Sequence, residues 1–307
     1  MTEEQRWYVG GLFDADGCVY AGVNTLVVSV TQAQKGVAAV QFLQETFGGS
    51  TIARRSRIPA HQNTHTWQVC GEGAIYFCGV IHRYTFLKRD QLRLASSYPI
   101  KTRSIPVNSL DISTLEKHAF DDYDAAISFF AAQGKLLHKT SISACLHGKV
   151  KQHGGLIWTA TEKTGDWKST KKTIACQLKA LKNKPHRVID ERLPDPYAAG
   201  FFDGDGCFSL TPKGVHAHRI AQKYIAICDA FQKRFGGSVK LTKEGYFTWN
   251  LYKGGLTFVQ AVHPFLRGKA EQGSLLLTIT PCIAPAIIDN VRKQLWDLKG
   301  NHWRKKV

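Results

Sequence analysis

Two short acidic motifs hold the residues best suited to chemistry in this 307-residue chain. Each places two Asp residues one position apart, ahead of a Gly: Asp14-Ala15-Asp16-Gly17 and Asp203-Gly204-Asp205-Gly206. Carboxylate oxygens are the ligands that hard divalent cations prefer, and such a cation can hold phosphate oxygens and activate water. The paired motifs therefore predict a metal site for phosphodiester hydrolysis, with Asp16 and Asp205 as ligands. Two exposed Asp-Gly turns without a function are the alternative.

The motifs recur because a longer segment of the chain repeats. Residues 8–18 return as 197–207, and two later landmarks return in the same order: Phe47-Gly48-Gly49-Ser50 as Phe235-Gly236-Gly237-Ser238, and Thr66-Trp67 as Thr248-Trp249. Repetition at a nearly constant offset indicates two copies of one structural unit. We place repeat 1 at residues 1–98 and repeat 2 at residues 191–307, with an insert at residues 99–190.

The pattern within each repeat predicts the elements that position the motifs. A helix ends in the motif, a β-like stretch follows, and an amphipathic helix then ends at the Gly pair. Two strands and a last helical region complete the unit. Helices segregated from hairpin-like strands predict an α+β fold with an antiparallel sheet in each repeat. The predicted strands are 19–31, 50–57 and 64–70, then 207–220, 238–242 and 246–252; the predicted helices after the motif helix are 37–46 and 74–95, then 225–235 and 256–265.

The motif helices carry small residues at the positions where two helices could touch. Gly10 and Gly11 in repeat 1 match Ala199 and Gly200 in repeat 2. If the helices pack about a pseudo-twofold axis, the second Asp of each motif lies at the same end of the interface. The Gly after each second Asp predicts a left-handed helix cap.

The charge balance indicates a polyanionic partner. The chain has 41 Lys and Arg against 24 Asp and Glu, a net charge of +17 with a pI of about 9.6. Residues 135–187 alone hold 12 basic residues and only Glu162 and Asp166 as acids. A basic surface concentrated in this way favours nucleic acid as the partner over general solvation, which is the alternative.

Composition excludes several classes of protein. A hydrophobic fraction of 43% is typical of a globular chain and excludes a disordered, collagen-like or coiled-coil chain. No apolar run reaches the roughly 20 residues of a membrane span. The eight Cys residues form no CxxC pair, so we expect buried free thiols in an intracellular reducing compartment, whether bacterial, phage or organellar.

The two motifs resemble the signature of the LAGLIDADG homing endonucleases, in the single-chain form with two repeats. The resemblance covers both repeats and not the insert. It implies a saddle-shaped antiparallel sheet in each repeat that lies on DNA, and motif helices at the interface. It also implies that Asp16 and Asp205 bind the catalytic metals, and that the neighbouring Ala15 and Gly204 belong to the same metal site. Asp14 and Asp203 are implied to cap helix ends. The implied cofactor is Mg²⁺, with Mn²⁺ able to substitute and Ca²⁺ supporting binding without turnover.

Two further family positions have counterparts in both repeats. Gln32 and Gln222 lie where the family often has a polar residue near the active site, and an amide there can position a water. Lys88 and Lys269 match a basic residue near the scissile phosphate, where an amine can stabilise developing charge. We therefore predict all four as catalytic residues, with merely solvated side chains as the alternative.

The strands also carry side chains that could read or hold DNA. Arg pairs well with guanine, and Asn or Gln with adenine, whereas Lys more often meets phosphates. The predicted contacts are Arg54, Arg55, Arg57 and Gln68 in repeat 1, and Arg219, Lys240, Lys243 and Asn250 in repeat 2.

The insert is predicted to be mostly helical and basic, with a DNA-binding module near residues 122–160. A helix at 123–133, a second helix up to His147 and a Gly-Lys-rich hairpin ending at Trp158 resemble the helix-turn-helix modules of some intron-encoded endonucleases. The second helix of such a module lies in the major groove. The candidate contacts are Thr140, Ser141, Ser143, His147, Lys149 and Lys151. Residues 168–184 are interpreted as a basic helix or tether along phosphates, and a flexible linker is the alternative for the whole insert.

These features favour a monomeric, metal-dependent, site-specific DNA endonuclease that makes a double-strand break at a long target. An RNA-splicing maturase that binds its own intron RNA, or a catalytically inactive DNA-binding protein of the same fold, is the second hypothesis. A glycan hydrolase with paired carboxylates would leave the charge of +17 unexplained.

Overall fold

The structure is a computed structural model that describes residues 1–21, 25–55, 63–99, 106–160, 167–182, 188–189, 191–280 and 283–299, with side chains described from 171 onward in the fifth of these ranges. The chain divides into two compact units. One unit contains residues 1–98 and 173–307, and the other contains residues 99–172. Within the described residues, no helix is both long and apolar enough to cross a membrane.

Repeat 1 is a four-stranded antiparallel sheet with helices packed on one face. Its elements are α1 (Glu3–Asp16), β1 (Gly17–Ala21), β2 (Leu26–Ala33), α2 (Val37–Phe47), β3 (Ser50–Arg54), β4 (Thr64–Cys70), α3 (Glu72–Ile81) and α4 (Arg89–Ala95). The strand order is β1-β2-β4-β3. Thr2 and Gln5 form a capping box that starts α1. Gly48, at φ +67°, ends α2 as predicted.

The insert folds around a small core of its own. Its elements are β5 (Val107–Asp111), β6 (Lys117–Phe120), α5 (Tyr123–Ala132), α6 (Lys139–Leu146) and β7 (Leu156–Ala160). Val107, Phe130 and Trp158 are among the side chains buried in this core. The two helices were predicted, but the antiparallel sheet of order β6-β5-β7 was not, so the insert is less helical than predicted.

A long helix follows the insert. This helix, α7 (Trp167–Lys182), lies within the segment that we interpreted as a basic helix or tether. Ile174 and Leu178 are buried in the hydrophobic core that also holds the motif helices. One face of α7 therefore packs as part of the protein core, and the segment is not a free tether.

Repeat 2 reproduces the architecture of repeat 1. Its elements are α8 (Asp195–Asp205), β8 (Gly206–Cys207), β9 (His218–Gln222), α9 (Ile225–Phe235), β10 (Ser238–Leu241), β11 (Phe247–Leu251), α10 (Gly255–Val262), α11 (Ala270–Leu277) and α12 (Pro285–Leu298). The strand order β10-β11-β9-β8 mirrors that of the first sheet. The fold is thus α+β with an antiparallel sheet in each repeat, as predicted. The stretches predicted at 19–31 and 207–220 each contribute two strands, so each sheet has four strands.

The motif helices α1 and α8 pack against each other with their backbones in contact. A Cβ atom built on Gly11 would lie 2.1 Å from the Tyr197 carbonyl oxygen, and one built on Gly200 would lie 2.0 Å from that of Tyr8. Only glycine permits this approach at these two positions. The helix ends, and with them Asp16 and Asp205, are thereby brought together.

The caps of the motif helices differ from the prediction. Gly17 has φ −76° and Gly206 has φ −81°, so both are extended and not left-handed. A Cβ atom at Gly17 would lie 2.2 Å from the Phe13 ring, and one at Gly206 would lie 2.3 Å from the Phe202 ring. Glycine is required here because an aromatic ring packs on the chain where each helix passes directly into a strand.

The thiols are free but not all buried. Seven Cys residues in the described part of the chain are free, and Cys70, Cys176 and Cys207 among them are exposed. The prediction that the cysteines are buried is therefore wrong for these three, and Cys18 is only partly buried.

Candidate functional site

The two predicted metal ligands lie at the adjoining ends of α1 and α8, and both are partly buried. A Cβ atom built on Gly204 would lie 2.4 Å from the Ala15 Cβ and 2.8 Å from Asp16 Oδ2. The Asp16 carboxylate therefore reaches the backbone of the opposite motif, and the residues ahead of each ligand touch across the interface. The ends of the two motifs form one site.

The electrostatics of this site favour a cation. Burial raises the pKa of Asp16, while the nearby Lys269 ammonium opposes that rise. Burial and then the charge of Asp16 raise the pKa of Asp205 to about 6. Two carboxylates that hinder each other's ionisation are stabilised by a divalent cation between them.

The donor set fits a hard cation only in part. Two carboxylates supply oxygen ligands of the kind Mg²⁺ takes. The residues that the structure describes contain no group of three or more His, Cys, Asp and Glu side chains placed to hold a metal. Any bound cation must therefore complete its shell with backbone carbonyls, water or phosphate oxygens, which is common for Mg²⁺ at phosphate sites.

The two predicted glutamines contact the carboxylates directly. Gln32, near the end of β2, donates from Nε2 to Asp16 Oδ2 at 2.6 Å. Gln222, at the end of β9, makes the equivalent bond to Asp205 Oδ2. Each amide holds one carboxylate in place, and the Gln32 side chain is itself buried, with its Oε1 against Gly36.

The two predicted lysines lie behind the carboxylates. Lys88 Nζ donates to the carbonyls of Phe13 and Gly17, both at 2.7 Å. Lys269 Nζ donates to the Phe202 carbonyl at 2.7 Å and also to that of Asp203. These carbonyls are at the C-terminal ends of α1 and α8, where a cation is favoured. Burial lowers the pKa of both amines, and nearby aspartates oppose this shift. The amines therefore fix the helix ends, and their catalytic role near the scissile phosphate stays a prediction.

The first Asp of each motif caps a neighbouring segment. Asp14 accepts backbone N–H bonds from Phe86, Leu87 and Lys88 at 2.6–2.9 Å. Asp203 accepts the equivalent bonds at 2.7–2.9 Å from Arg267, Gly268 and Lys269. Each motif thus positions the segment that carries its lysine, in agreement with the capping role implied by the resemblance.

Two buried tyrosines complete the site and were missed by the sequence analysis. Tyr8 donates its hydroxyl proton to Asp203 Oδ2 at 2.8 Å, and Tyr197 donates to Asp14 Oδ2 at 2.7 Å. Their matched positions in the two repeats were the available signal. An aromatic residue in a buried helix is usually core, and only the structure shows the hydroxyl contacts.

The open faces of the sheets carry most of the predicted DNA contacts. On β11, Trp249 points into the core, so Asn250 faces outward, beside Arg219 in register on β9. Lys240, paired with Thr248, shares that face. On the first sheet Arg54 and Gln68 lie on the face opposite Trp67.

The other predicted contacts of the sheets are less regular. Arg55, directly after β3, and Lys243, in the turn between β10 and β11, are exposed. Arg57 lies outside the described residues.

In the insert, the second helix has one buried face and one accessible face. Ile142 and Cys145 of α6 are buried in the small core. The predicted contacts lie on the remaining turns: Ser141 and Ser143 are partly exposed, and Thr140, His147, Lys149 and Lys151 are exposed. The accessible face is thus polar and is followed by a basic loop.

Comparison with known proteins identifies the fold. Residues 3–96 match the family model described as a LAGLIDADG-like domain. The crystal structure of the meganuclease I-SmaMI bound to uncleavable DNA is similar over 98% of this chain and 99% of that one, at 13% identity and a TM-score of 0.51. The I-LtrWI LAGLIDADG homing endonuclease bound to target DNA is similar over 97% of both chains, at 14% identity and a TM-score of 0.51. No match was found among curated proteins.

A second I-SmaMI structure, bound to uncleaved DNA in the presence of calcium ions, matches 96% of this chain at 13% identity and a TM-score of 0.51. The first repeat is therefore a LAGLIDADG-like domain, and the whole chain has the fold of the LAGLIDADG homing endonucleases. The resemblance found in the sequence is confirmed.

Proposed function

We propose that this chain, with its LAGLIDADG homing endonuclease fold, is a site-specific DNA endonuclease that makes a double-strand break at a long target by metal-dependent hydrolysis. The observation that carries the proposal is the meeting of Asp16 and Asp205 across the α1–α8 interface, where Asp16 Oδ2 would lie 2.8 Å from a Cβ atom on Gly204. Burying two mutually repelling carboxylates at helix C-termini is unfavourable for folding alone. A bound cation explains their placement.

The residues around the carboxylates support this chemistry. A bound Mg²⁺, with Mn²⁺ able to substitute, would activate water and stabilise charge on the phosphate. Asp16 and Asp205 would hold it, Gln32 and Gln222 fix the orientation of those carboxylates, and Lys88 and Lys269 fix the helix ends. The neighbour determined with calcium and uncleaved DNA supports Ca²⁺ as an ion that permits binding without turnover.

The proposed partner is double-stranded DNA held on the open sheet faces. Arg219, Lys240 and Asn250 lie on the open face of the second repeat's sheet, and Arg54 and Gln68 lie on the open face of the first repeat's sheet. Each sheet thus offers both phosphate and base contacts. The insert would add a helix-turn-helix contact through the accessible face of α6. Two repeats within one chain supply two half-sites, so we propose that a monomer binds and cuts.

The central test replaces each metal ligand with an isosteric amide. Asp16→Asn and Asp205→Asn should each abolish double-strand cleavage of a target selected from a randomised DNA library. The DNA affinity should stay within about tenfold, a change in binding free energy of less than about 1.4 kcal/mol. It should do so because an isosteric amide leaves the fold and the sheets intact. Asp289→Asn, an exposed carboxylate on α12, is the matched control and should cut like the wild type.

The same assay separates the proposal from its alternatives. Cleavage should require Mg²⁺ or Mn²⁺ and stop in EDTA. Full cleavage by both Asn variants would contradict the metal assignment. A wild-type chain that binds DNA specifically but never cuts would favour the binding-only hypothesis, and stimulation of intron splicing in place of cutting would favour the maturase.

A further inference from the structure

Two buried tyrosines connect the repeats crosswise. Tyr8 lies on α1 of repeat 1 and donates its hydroxyl proton to Asp203 of repeat 2 at 2.8 Å. Tyr197 lies on α8 of repeat 2 and donates to Asp14 of repeat 1 at 2.7 Å. Both side chains are at most 2% exposed. Each hydroxyl therefore has a buried carboxylate partner in the opposite repeat.

Each aspartate relays that contact to one half of the site. Asp203 accepts three backbone N–H groups from the segment that ends at Lys269, and the Lys269 amine in turn binds carbonyls at the end of α8. Asp14 does the same for the segment that ends at Lys88 and for the end of α1. Tyr8 thus acts on the helix end that carries Asp205, and Tyr197 on the one that carries Asp16.

The two tyrosine–aspartate links make equivalent hydrogen bonds, but the tyrosine rings pack against different side chains. The ring of Phe86 lies 4.8 Å from that of Tyr197 in an edge-on contact. At the equivalent position of repeat 2, the Arg267 guanidinium lies 5.4 Å from the centre of the Tyr8 ring. Both tyrosine rings are held by a residue of the segment that their aspartate partner caps.

A buried carboxylate that loses one donor keeps its remaining bonds but gains freedom to shift. Hydrogen bonds to a charged group are stronger than neutral ones, and leaving a charged acceptor short of a donor is unfavourable. Removing one tyrosine hydroxyl should therefore loosen one lysine segment and leave the other in place. The effect would appear in the repeat opposite to the substitution.

We propose that Tyr8 and Tyr197 are positioning residues, each of which orders the half of the catalytic centre that belongs to the other repeat, so that the two DNA strands are cut together. The proposal rests on the proposed endonuclease function and adds a coupling between its halves. Neither tyrosine touches the substrate in this role. Each acts through Asp203 or Asp14 on the end of the opposite motif helix.

The test measures the cutting of each strand separately on DNA labelled at one 5′ end or the other. Tyr8→Phe should slow cutting of one strand by roughly tenfold relative to the other, the order of effect expected when a hydrogen bond to a charged group is removed. Tyr197→Phe should give the opposite strand bias, and nicked DNA should accumulate in both variants. The double variant should be slow on both strands with little bias. Tyr76→Phe, which removes an exposed hydroxyl on α3, should leave both rates unchanged.

A second measurement reads the same coupling without cleavage. Amide hydrogen exchange should speed up at residues 267–269 in Tyr8→Phe and at residues 86–88 in Tyr197→Phe, with the other segment unaffected in each case. Equal slowing of both strands, or exchange that rises in the same repeat as the substitution, would overturn the coupling. If the wild type cuts neither strand, the endonuclease function and the strand coupling fail together, while the exchange pattern alone shows whether the crosswise contact exists.

Discussion

The carboxylate pair makes the metal-free protein sensitive to pH. Burial and the Asp16 charge raise the pKa of Asp205 from its ordinary 3.8 to about 6. The folded chain therefore holds this proton more tightly than the unfolded chain does. The resulting stability is fully present below about pH 4 and is lost as the pH rises through about 6. At pH 7.5 the ionised pair destabilises the metal-free fold.

The first stability prediction follows from the destabilisation of the metal-free fold by ionised Asp205. Asp205→Asn removes the charge, so in EDTA at pH 7.5 it should raise the free energy of unfolding by about 1–3 kcal/mol. The gain should shrink towards zero near pH 4, where the wild-type carboxyl is protonated. Urea unfolding at both pH values measures it. A variant that is less stable than the wild type at pH 7.5 would show that the carboxylate is not under electrostatic strain.

A second prediction compares a buried lysine, which should stabilise the fold, with an exposed lysine, which should contact phosphate. Lys269 is 7% exposed and donates to carbonyls at the end of α8. Lys269→Met should leave these carbonyls unpaired and lower stability by about 1–3 kcal/mol without DNA or metal. Lys240→Met, at an exposed position on the open sheet face, should change stability by less than about 0.5 kcal/mol and weaken DNA binding instead. Equal stability of the two variants would contradict a stabilising role for Lys269 and leave it only the predicted catalytic role.

At the scale of elements, the α1–α8 crossing tolerates no added side chain at Gly11 or Gly200. A Cβ atom on Gly200 would lie 2.0 Å from the Tyr8 carbonyl oxygen and 2.9 Å from the Leu12 nitrogen, both of which are backbone atoms that cannot rotate away. Separating the helices would also separate Asp16 from Asp205. The same contact thus supports both the core and the site.

Gly200→Ala should therefore lower the free energy of unfolding by more than about 3 kcal/mol or prevent folding altogether. Gly79→Ala is the matched control, because Gly79 lies in helix α3 with no atom within 4 Å of its added Cβ. That substitution should be neutral or stabilise by about 0.5–1 kcal/mol. Thermal unfolding of both variants, with soluble yield recorded, makes the comparison. Similar melting temperatures would mean that the helices do not cross this closely.

The elements predictable from sequence were those whose signal is local or repeated. The α9 boundaries, Ile225–Phe235, agree with the pattern because apolar spacing and the following Gly pair fix both ends. The ends of α1 and α8 were also predicted, but the extended Gly17 was not, since its need for glycine comes from the Phe13 ring.

Tertiary contacts account for the parts of the site that were missed. The direction of the Lys88 amine depends on where α4 lies relative to α1, and the role of Tyr8 depends on Asp203, 195 residues away. Neither contact can be predicted from the local spacing of residues. In the insert, β5 and β7 pair across two intervening helices, so their sheet was likewise not evident from sequence.

At the scale of the whole molecule, the basic charge is divided between sheet faces and insert. The insert unit, residues 99–172, has a hydrophobic core of its own, which supports folding that does not depend on the repeats. α7 differs, since Ile174 and Leu178 belong to the core of the unit that holds the motif helices. A deletion that tests the insert should therefore end before α7.

Replacement of residues 106–160 with a long Gly/Ser linker should keep the catalytic site intact, because Asp16, Asp205 and both sheets lie in the other unit. If α6 and the loop after it contact the duplex, the replaced chain should bind more weakly, with a shorter footprint. Its dependence of log affinity on log salt should be shallower by about 0.9 for each phosphate that the protein no longer neutralises. Lys149→Gln combined with Lys151→Gln should reproduce part of that change, whereas Lys117→Gln should not, because Lys117 is on β6 and belongs neither to α6 nor to the loop after it. A footprint and salt slope that survive the replacement would leave the insert as a folded spacer, and the positive charge of the sheet faces would then account for DNA binding alone.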